Sequence, residues 1–262
     1  MSDDVVSDIQ RQYLVDLADK GRRFDDRGLD EYRDVSIETD VINQAEGSAH
    51  VRLGGTEVYC GVKMEMGDPY SDSPNQGVIT TTAERNQMAS PDFEGGPPRG
   101  PSVEVSRVID RGIRESDAVP LESLCIEPGE KCWVVYLDVH CVDFDGNLFD
   151  AGSLGLLAAL MTAQIPNHRH DLGEPEPLEI RSQPIMTTAV KIGDEILFDP
   201  TDLEEKVSSP RISVSTDEHG RIRAAQKSLA GGFQPEEIQE TIRRSRRKAE
   251  ELRSNVLETV KK

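Results

Sequence analysis

The sequence predicts an α+β fold in which helices pack against antiparallel and mixed sheets, and three patterns indicate it. Short β-prone runs with alternating polarity occur within residues 35–66, 132–141, 186–200 and 210–226. An almost wholly apolar segment, residues 150–165, is typical of a buried helix. Amphipathic helices are predicted near both ends, at about residues 4–20 and 235–260. No linker separates two cores, so we expect a single domain spanning residues 1–262.

The first third of the chain begins with a helix and continues as strands. The helix is predicted from apolar residues at helical spacing, namely Val5, Ile9, Tyr13, Leu14 and Leu17. Strand runs follow, with a turn at Gly54-Gly55. The strand after that turn places five side chains on one buried face: Val58, Cys60, Val62, Met64 and Met66. Residues 67–101 are rich in Pro, Gly, Asp and Asn, which predicts a long surface loop.

The middle of the chain alternates helices and hairpins. Ser102 is the predicted N-cap of a helix that runs to about Ser116. A strand from Cys132 is expected to end in a hairpin turn at Asp145-Gly146, and Asp150 to cap the apolar helix. Two further hairpins are predicted, with turns at Gly193-Asp194 and His219-Gly220.

The last helix opens at Pro235 with acidic residues in its first turn. Its predicted apolar stripe consists of Ile238, Ile242, Ala249, Leu252, Val256 and Val260. The basic run at residues 243–248 then lies on or beside the opposite face, where we expect it to pair with glutamates at helical spacing.

Composition limits the class of protein. Hydrophobic residues make up 36% of the 262, enough for a core, yet no apolar run reaches the roughly 20 residues of a membrane span. The N-terminus lacks the apolar stretch of a secretory signal, so a cytoplasmic location is expected. Four cysteines without CxxC spacing are expected to be reduced thiols rather than disulfides or zinc ligands.

One helix carries a narrow row of arginines. Arg107, Arg111 and Arg114 are spaced i, i+4, i+7 and fall within about 60° of one another on a helix. Because the planar guanidinium binds phosphate oxygens in pairs, this row suggests contact with a nucleic-acid backbone. The alternative is local ion pairing of these arginines with Asp110 and Glu115.

Several segments, in this order, resemble one family. They are EGSAHVRLGGTEVYCGVK, the EGGPP loop, VEVSRVIDRGIRES, CWVVYLDVHCVDFDGNLFDAGSLGLLAAL and LFDPTDLEE. Together they resemble the RNase PH-like phosphorolytic 3′-to-5′ exoribonucleases, and most closely the non-catalytic ring subunits of the archaeal exosome. The resemblance implies an RNase PH-like domain with βαβ units. It also implies a heterodimer with a catalytic RNase PH-like subunit, a trimer of such dimers forming a hexameric ring, RNA-binding cap subunits, single-stranded RNA, and no cofactor.

Two departures from the catalytic pattern bear on activity. Catalytic members hold inorganic phosphate with Gly-Ser or Gly-Thr followed closely by Arg at the start of the buried helix, whereas residues 149–167 here contain no basic residue. Catalytic members also carry two aspartates about six residues apart. Here the first acidic cluster is present: Asp199, Asp202, Glu204 and Glu205. Residues 206–216 hold no carboxylate, and Arg211 lies near the expected second position. The resemblance therefore implies a non-catalytic, RNA-binding subunit.

The resemblance also indicates which residues bind RNA. By position it assigns RNA contact to Arg107 and Arg111. Arg114 belongs to the same row of candidates, with pairing to Asp110 as its alternative. Arg85 and Arg99 are secondary candidates, or serve only solubility. The alternatives are a self-sufficient phosphorolytic exoribonuclease, a scaffold without RNA contact, and an enzyme acting on small molecules. The histidines are assigned no metal: His168 and His170 are expected at the surface, and His50 and His140 in strands.

The charge of −19 generates a prediction about salt. Acidic residues number 49 against 30 basic ones, a balance that suits a protein from a salt-loving source. At about 1 M salt the Debye length falls to roughly 3 Å, so surface carboxylates barely repel one another. The thermal unfolding midpoint should therefore rise as KCl is added. A midpoint that stayed constant would favour an ordinary acidic protein kept soluble by its charge.

Overall fold

The computed structural model describes residues 8–97 and 99–261. The helices are α1 (Asp8–Ala18), α2 (Gly100–Arg114), α3 (Leu148–Thr162), α4 (Asp202–Val207) and α5 (Pro235–Asn255). The strands of the first half are β1 (Val35–Thr39), β2 (Gly47–Leu53), β3 (Thr56–Gly67), β4 (Val78–Arg85), β5 (Cys125–Glu127) and β6 (Lys131–Asp143). The later strands are β7 (Gln164–Ile165), β8 (Glu176–Pro177), β9 (Ile185–Ile192), β10 (Glu195–Phe198), β11 (Arg211–Thr216) and β12 (Ile222–Ser228).

Two main sheets form the framework of the fold, with α3 between them. The larger sheet has the order β1-β2-β3-β6-β4, with β5 added beside β6. Strand β4 runs parallel to β6, so β4, α2 and β6 form a βαβ unit. The second sheet, β10-β9-β11-β12, is wholly antiparallel. The α+β prediction with mixed and antiparallel sheets is confirmed.

Helix α3 occupies the centre of the molecule. It contacts β2 and β3 of the larger sheet on one side and β9 of the second sheet on the other. Its residues from Leu148 to Leu160 are all buried, as expected for a helix that is apolar on every side. Small residues permit the close approach: a Cβ added at Gly155 would lie 2.5 Å from the Cys60 sulfur. The prediction of a buried apolar helix is confirmed.

The predicted surface loop at residues 67–101 is wrong in its middle, because β4 runs through it. Three consecutive threonines lie at the centre of this strand, so its pattern of apolar residues is weak. The turn-forming residues on either side made the whole segment read as a loop. Val78, Ile79 and Ala83 are nevertheless buried, and the β-branched residues suit a pleated strand that pairs with β6. Tertiary pairing with a distant strand, rather than local pattern, defines this element.

Two predicted caps and one turn also differ. Helix α2 begins at Gly100, with Pro101 in its first turn, rather than after Ser102. The Asp145-Gly146 pair does not close a hairpin but leads from β6 into α3. There Gly146 has φ of 82° and packs against the backbone around Thr201, a place no larger residue fits. Asn147, not Asp150, precedes the helix.

The terminal helices follow the prediction with adjusted limits. Helix α1 covers Asp8–Ala18, and residues 4–7 of the predicted helix lie outside the described residues. Helix α5 ends at Asn255 and is followed by a 3₁₀ turn, Leu257–Lys261. Its buried stripe includes Ala249 and Leu252. Ile238 was also predicted in that stripe, but it is exposed, because the neighbouring Glu237 rather than Ile238 makes the contact of this first turn with Lys191 of β9.

Both predicted hairpins of the second sheet are present, as β9–β10 and β11–β12. All four cysteines are free thiols, and three of them are buried. Within residues 8–97 and 99–261, no helix combines the length and apolar character needed to cross a membrane.

Candidate nucleic-acid interface and acidic cluster

Helix α2 points its arginines outward because its other side is fixed by packing. The buried residues of α2 are Val105, Val108, Ile109, Gly112 and Ile113. They contact β4 of the larger sheet, α3, and strands β9 and β12 of the second sheet. At Gly112 an added Cβ would lie 3.3 Å from both Met186 and Ser215, so the helix sits tightly on the second sheet. The polar side of the helix is therefore directed to solvent.

Arg114 is bound within the chain. Its guanidinium donates to the Asp110 carboxylate at 3.0 and 3.1 Å and to the Ile79 carbonyl at 2.9 Å. Asp110 also accepts a bond of 2.9 Å from the Thr81 hydroxyl. Arg114 thus forms the local ion pair with Asp110 that was the alternative to phosphate binding.

Arg107 and Arg111 remain available for an external ligand. Arg107 is exposed, and its side chain makes no hydrogen bond or ion pair with any residue of the described ranges. Arg111 is exposed too, and donates one bond of 2.8 Å to the side-chain oxygen of Gln226 on β12. That partner is neutral, so the charge of Arg111 is not compensated by it. Four residues separate them in sequence, so their Cα atoms lie about one helical turn, roughly 6 Å, apart along the axis of α2.

The two secondary candidates border the start of α2. They line an open cavity of about 650 Å³ together with the loop before the helix. The Arg85 guanidinium lies over the Phe93 ring at 3.9 Å, and burial lowers the pKa of Arg85. Arg99 pairs with Glu94 at 3.2 Å. Arg85 is thus partly desolvated, whereas Arg99 is an exposed, locally paired cation.

The start of α3 holds a carboxyl group of the chain itself. Asp150 accepts hydrogen bonds from the Tyr32 hydroxyl at 2.8 Å, the Asn147 amide at 2.9 Å, and the backbone and hydroxyl of Thr188 at 2.9 and 2.7 Å. Burial raises the pKa of Asp150 to about 7. An external anion bound at the start of α3 would need a cation nearby. The side chain that the chain places there is instead the buried carboxyl group of Asp150.

Arg211, which lies near the position where the resemblance implies a second carboxylate, is a buried guanidinium. It begins β11, is 8% exposed, and stacks over the Phe149 ring at 4.3 Å. It faces Glu205 at 3.5 Å and Glu104 at 3.4 Å. Burial raises the pKa of Glu205, against the opposing effect of Arg211. The position that the resemblance marks for a carboxylate is therefore occupied by a neutralised cation.

Two members of the first acidic cluster, Asp199 and Glu204, pair with arginines from the segment before β1. Asp199 is fully buried and accepts bonds from Arg33 at 2.7 and 2.9 Å and from Arg27 at 3.0 Å. Burial alone would raise the pKa of Asp199, but the bonds and charge of Arg33 outweigh it and lower that pKa. Glu204 forms a buried pair with Arg23, including a bond of 2.8 Å. Asp199 and Glu204 are thus structural ion-pair partners.

The sequence reasoning missed these arginines. The segment that carries them reads as polar and turn-rich, and their partners lie more than 160 residues away. The only local signal was the density of arginine in residues 22–33. Among the described residues, no group of three or more His, Cys, Asp or Glu side chains is arranged to hold a metal ion.

The histidines lie where the sequence predicted. His50 and His140 are in β2 and β6, and His50 stacks on Tyr59 at 4.4 Å and bonds to Glu57 at 2.6 Å. His168 and His170 are exposed in a 3₁₀ turn, although the His170 ring also meets the edge of Trp133.

Comparison with known proteins gives a consistent result along the chain. Models of the 3′ exoribonuclease family match residues 31–166 (domain 1) and 182–248 (domain 2). The first stretch contains the larger sheet and the second contains the second sheet. Exosome complex component Rrp42 of Methanocella arvoryzae is 48% identical, with 98% of each chain covered. Its counterpart in Thermococcus gammatolerans is 47% identical over 99% of this chain and 98% of that protein.

Solved structures agree with these relatives. A chain of the Archaeoglobus fulgidus exosome with RNA bound to the active site superposes with a TM-score of 0.92 at 44% identity, covering 94% of this chain and 97% of that one. A chain of an archaeal exosome core gives a TM-score of 0.90 at 41% identity, with both chains fully covered. Rice Rrp46, at 17% identity and a TM-score of 0.72, shares the fold.

The buried Asp150 predicts a pH dependence of stability. Its pKa is about 7 in the folded chain against 3.8 unfolded, so the folded state holds the proton more tightly. The contribution of Asp150 to the free energy of unfolding is complete below about pH 4. It is lost as the pH rises through 7, and the total loss is roughly 4 kcal/mol. Asp150→Asn imitates the protonated acid, because its amide can donate to Thr188. Relative to this variant, the wild type should lose stability between pH 4 and 7, as measured by urea unfolding.

The matched control is Asp72→Asn, an exposed aspartate in the loop before β4. It should keep the wild-type pH profile in the same titration. Parallel profiles for the wild type and Asp150→Asn would show that Asp150 stays ionised in the folded chain, contrary to the prediction.

Proposed function

The chain belongs to the RNase PH family of 3′ exoribonucleases, and from this membership we propose that it is a non-catalytic ring subunit of an archaeal exosome. In this role it pairs with a catalytic RNase PH-like subunit, and three pairs close a hexameric ring that carries RNA-binding cap subunits. The near full-length match to Rrp42 proteins and to chains of archaeal exosomes supports this assignment.

The observation that carries the RNA-binding part is the state of Arg107 and Arg111. Both guanidiniums are exposed, neither faces a carboxylate, and they are one turn apart on a helix held firmly from behind. Successive backbone phosphates of single-stranded RNA fit such a pair, because each planar guanidinium can bind two phosphate oxygens. Arg114, bound to Asp110, contributes less. We assign to this surface the holding of RNA on its path to the partner's active site.

The non-catalytic part of the proposal rests on charge. Phosphorolysis needs a bound phosphate as nucleophile and groups that stabilise the charge developing on the scissile phosphate. At the start of α3 the chain offers its own buried acid, Asp150, and no basic residue in the helix. Asp199 and Glu204 are each saturated by arginines, and Arg211 takes the place of the second carboxylate. These features support a role in shaping the partner's site rather than in chemistry.

The net charge of −19 does not oppose this role. Long-range repulsion of RNA is screened over roughly 8 Å at physiological ionic strength and over less at high salt. Contacts between guanidinium and phosphate form at hydrogen-bond distance, within that screening length. Binding therefore depends on the local arginine pair rather than on the summed field.

RNA binding is tested by charge reversal in the assembled complex. The variant Arg107→Glu with Arg111→Glu should bind single-stranded RNA much more weakly when reconstituted with the catalytic homologue. Each lost phosphate contact removes about 0.7 from the slope of log affinity against log salt, so the double variant should lose about 1.4. Fluorescence anisotropy at several KCl concentrations measures both quantities.

The control carries the same charge change elsewhere. Arg243 and Arg246 are exposed on α5, and reversing both should leave the salt slope unchanged. Arg114→Ala should have a small effect, since Arg114 is already bound to Asp110. An unaltered affinity in the Arg107/Arg111 variant at every salt concentration would leave only a scaffold role.

The assignment as a non-catalytic subunit predicts the outcome of a phosphorolysis assay. The purified chain, given RNA and inorganic phosphate, should release no nucleoside diphosphates, because it holds no phosphate near a scissile bond. The reconstituted complex should release them faster than the catalytic homologue alone. Phosphate-dependent shortening of RNA by the chain alone would instead establish a self-sufficient exoribonuclease.

A further inference from the structure

Two of the four thiols face each other across a hairpin. Strand β5 pairs antiparallel with β6, and in that register Cys125 lies directly opposite Cys132. Side chains of directly opposed residues project from the same face of the sheet, with Cα atoms roughly 4.5–5.5 Å apart. This separation falls within the approximate 4.4–6.8 Å range that disulfides span. The sequence separation of seven gave no such indication, because it matches no common thiol motif.

The hairpin holds this pair in a defined geometry. Glu130 donates its backbone N–H to the Glu127 carbonyl at 2.9 Å, and Gly129 between them has φ of 77°. Proline followed by a glycine with positive φ is the signature of a type II turn. The Gly129 N–H bonds to the Pro74 carbonyl at 2.8 Å, which ties the turn to the neighbouring loop. The turn and this contact fix the connection between β5 and β6. The register shifts by one residue between Cys125 and Glu127, and Cys125 is paired with Cys132 on the far side of that shift.

The two thiols differ in accessibility. Cys132 is fully buried, while Cys125 is only half-buried and meets solvent first. Both lie on the face of β6 opposite Trp133, which packs in the main core. Burial, with smaller effects of Cys125 and Asp68, raises the pKa of Cys132. Cys60 and Cys141 are buried in the main core with pKa values raised by burial, and they have no opposing cysteine.

We propose that Cys125 and Cys132 form a reversible thiol–disulfide site, oxidised by peroxides and restored by dithiol reductants. The Cys125 thiolate attacks a peroxide oxygen, so an S–O bond forms, the O–O bond breaks and hydroxide leaves, giving a sulfenic acid. The Cys132 thiolate then attacks that sulfur, the S–S bond forms, and a second hydroxide leaves. The two thiol protons convert the hydroxides to water. Two thiols and one hydrogen peroxide thus give one disulfide and two waters.

The site is tested on the reduced full-length chain in its native state. Hydrogen peroxide is added after removal of reductant, remaining thiols are alkylated, and the peptides are mapped by mass spectrometry. Two of the four thiols should disappear together, as a Cys125–Cys132 cross-link that dithiothreitol reverses. Cys60 and Cys141 should remain alkylatable only after unfolding, which makes them internal controls.

Two single variants separate the roles of the thiols. Cys125→Ser should slow the oxidation of Cys132 by about tenfold or more, because Cys132 has no surface of its own. Cys132→Ser should leave Cys125 as a sulfenic acid that dimedone traps. Accumulation of sulfinic acid at Cys125 of the wild type, with Cys132 still a thiol, would overturn the proposal. So would survival of both thiols under peroxide that oxidises a free cysteine peptide.

Discussion

The buried pairing of Arg23, Arg27 and Arg33 with Asp199 and Glu204 is the constraint on which the rest of the molecule depends. It joins the segment before β1 to Asp199 in the turn after β10 and to Glu204 in α4, more than 160 residues along the chain. Removing one partner of a buried pair leaves an uncompensated charge, which typically costs about 3–5 kcal/mol. The network therefore specifies one arrangement of the chain around α3. Because Asp199 and Glu204 already pair with these arginines, their carboxylates are not available to an external ligand.

That arrangement determines which groups reach the surface. Asn147 donates one amide bond to Asp150 and another to Asp199, so the start of α3 is linked to the ion-pair network. Helix α3 in turn supports α2, whose apolar side is clamped between the two sheets. The outward direction of Arg107 and Arg111 is thus a consequence of packing on the far side of their helix. If Arg107 and Arg111 bind RNA as proposed, a firmly packed helix favours that contact, because less free energy is then spent on ordering the binding groups.

Much of this could be predicted from the sequence, and the failures have a common cause. The 3.6-residue spacing of Arg107, Arg111 and Arg114 and the two hairpins of the second sheet are local patterns, so they were predictable. The strand β4 was missed because its identity comes from parallel pairing with β6, some 55 residues away. The sequence also could not predict that Arg114, and not Arg107, pairs with Asp110. Both have Asp110 within helical range, but only Arg114 adds the Ile79 carbonyl of β4 as a second acceptor.

The bond between Arg111 and Gln226 makes the two available arginines unlike in their dynamics. Each arginine side chain has about 2 kcal/mol of rotamer entropy to lose when it is immobilised. Arg111 gives up part of this by its bond to Gln226 on β12, whereas the Arg107 side chain has no such bond within residues 8–97 and 99–261. The two arginines therefore differ in how much side-chain freedom they keep before any ligand binds. If the proposed phosphate contacts form, Arg111 loses less side-chain entropy on binding than Arg107 does, because Gln226 already restrains it.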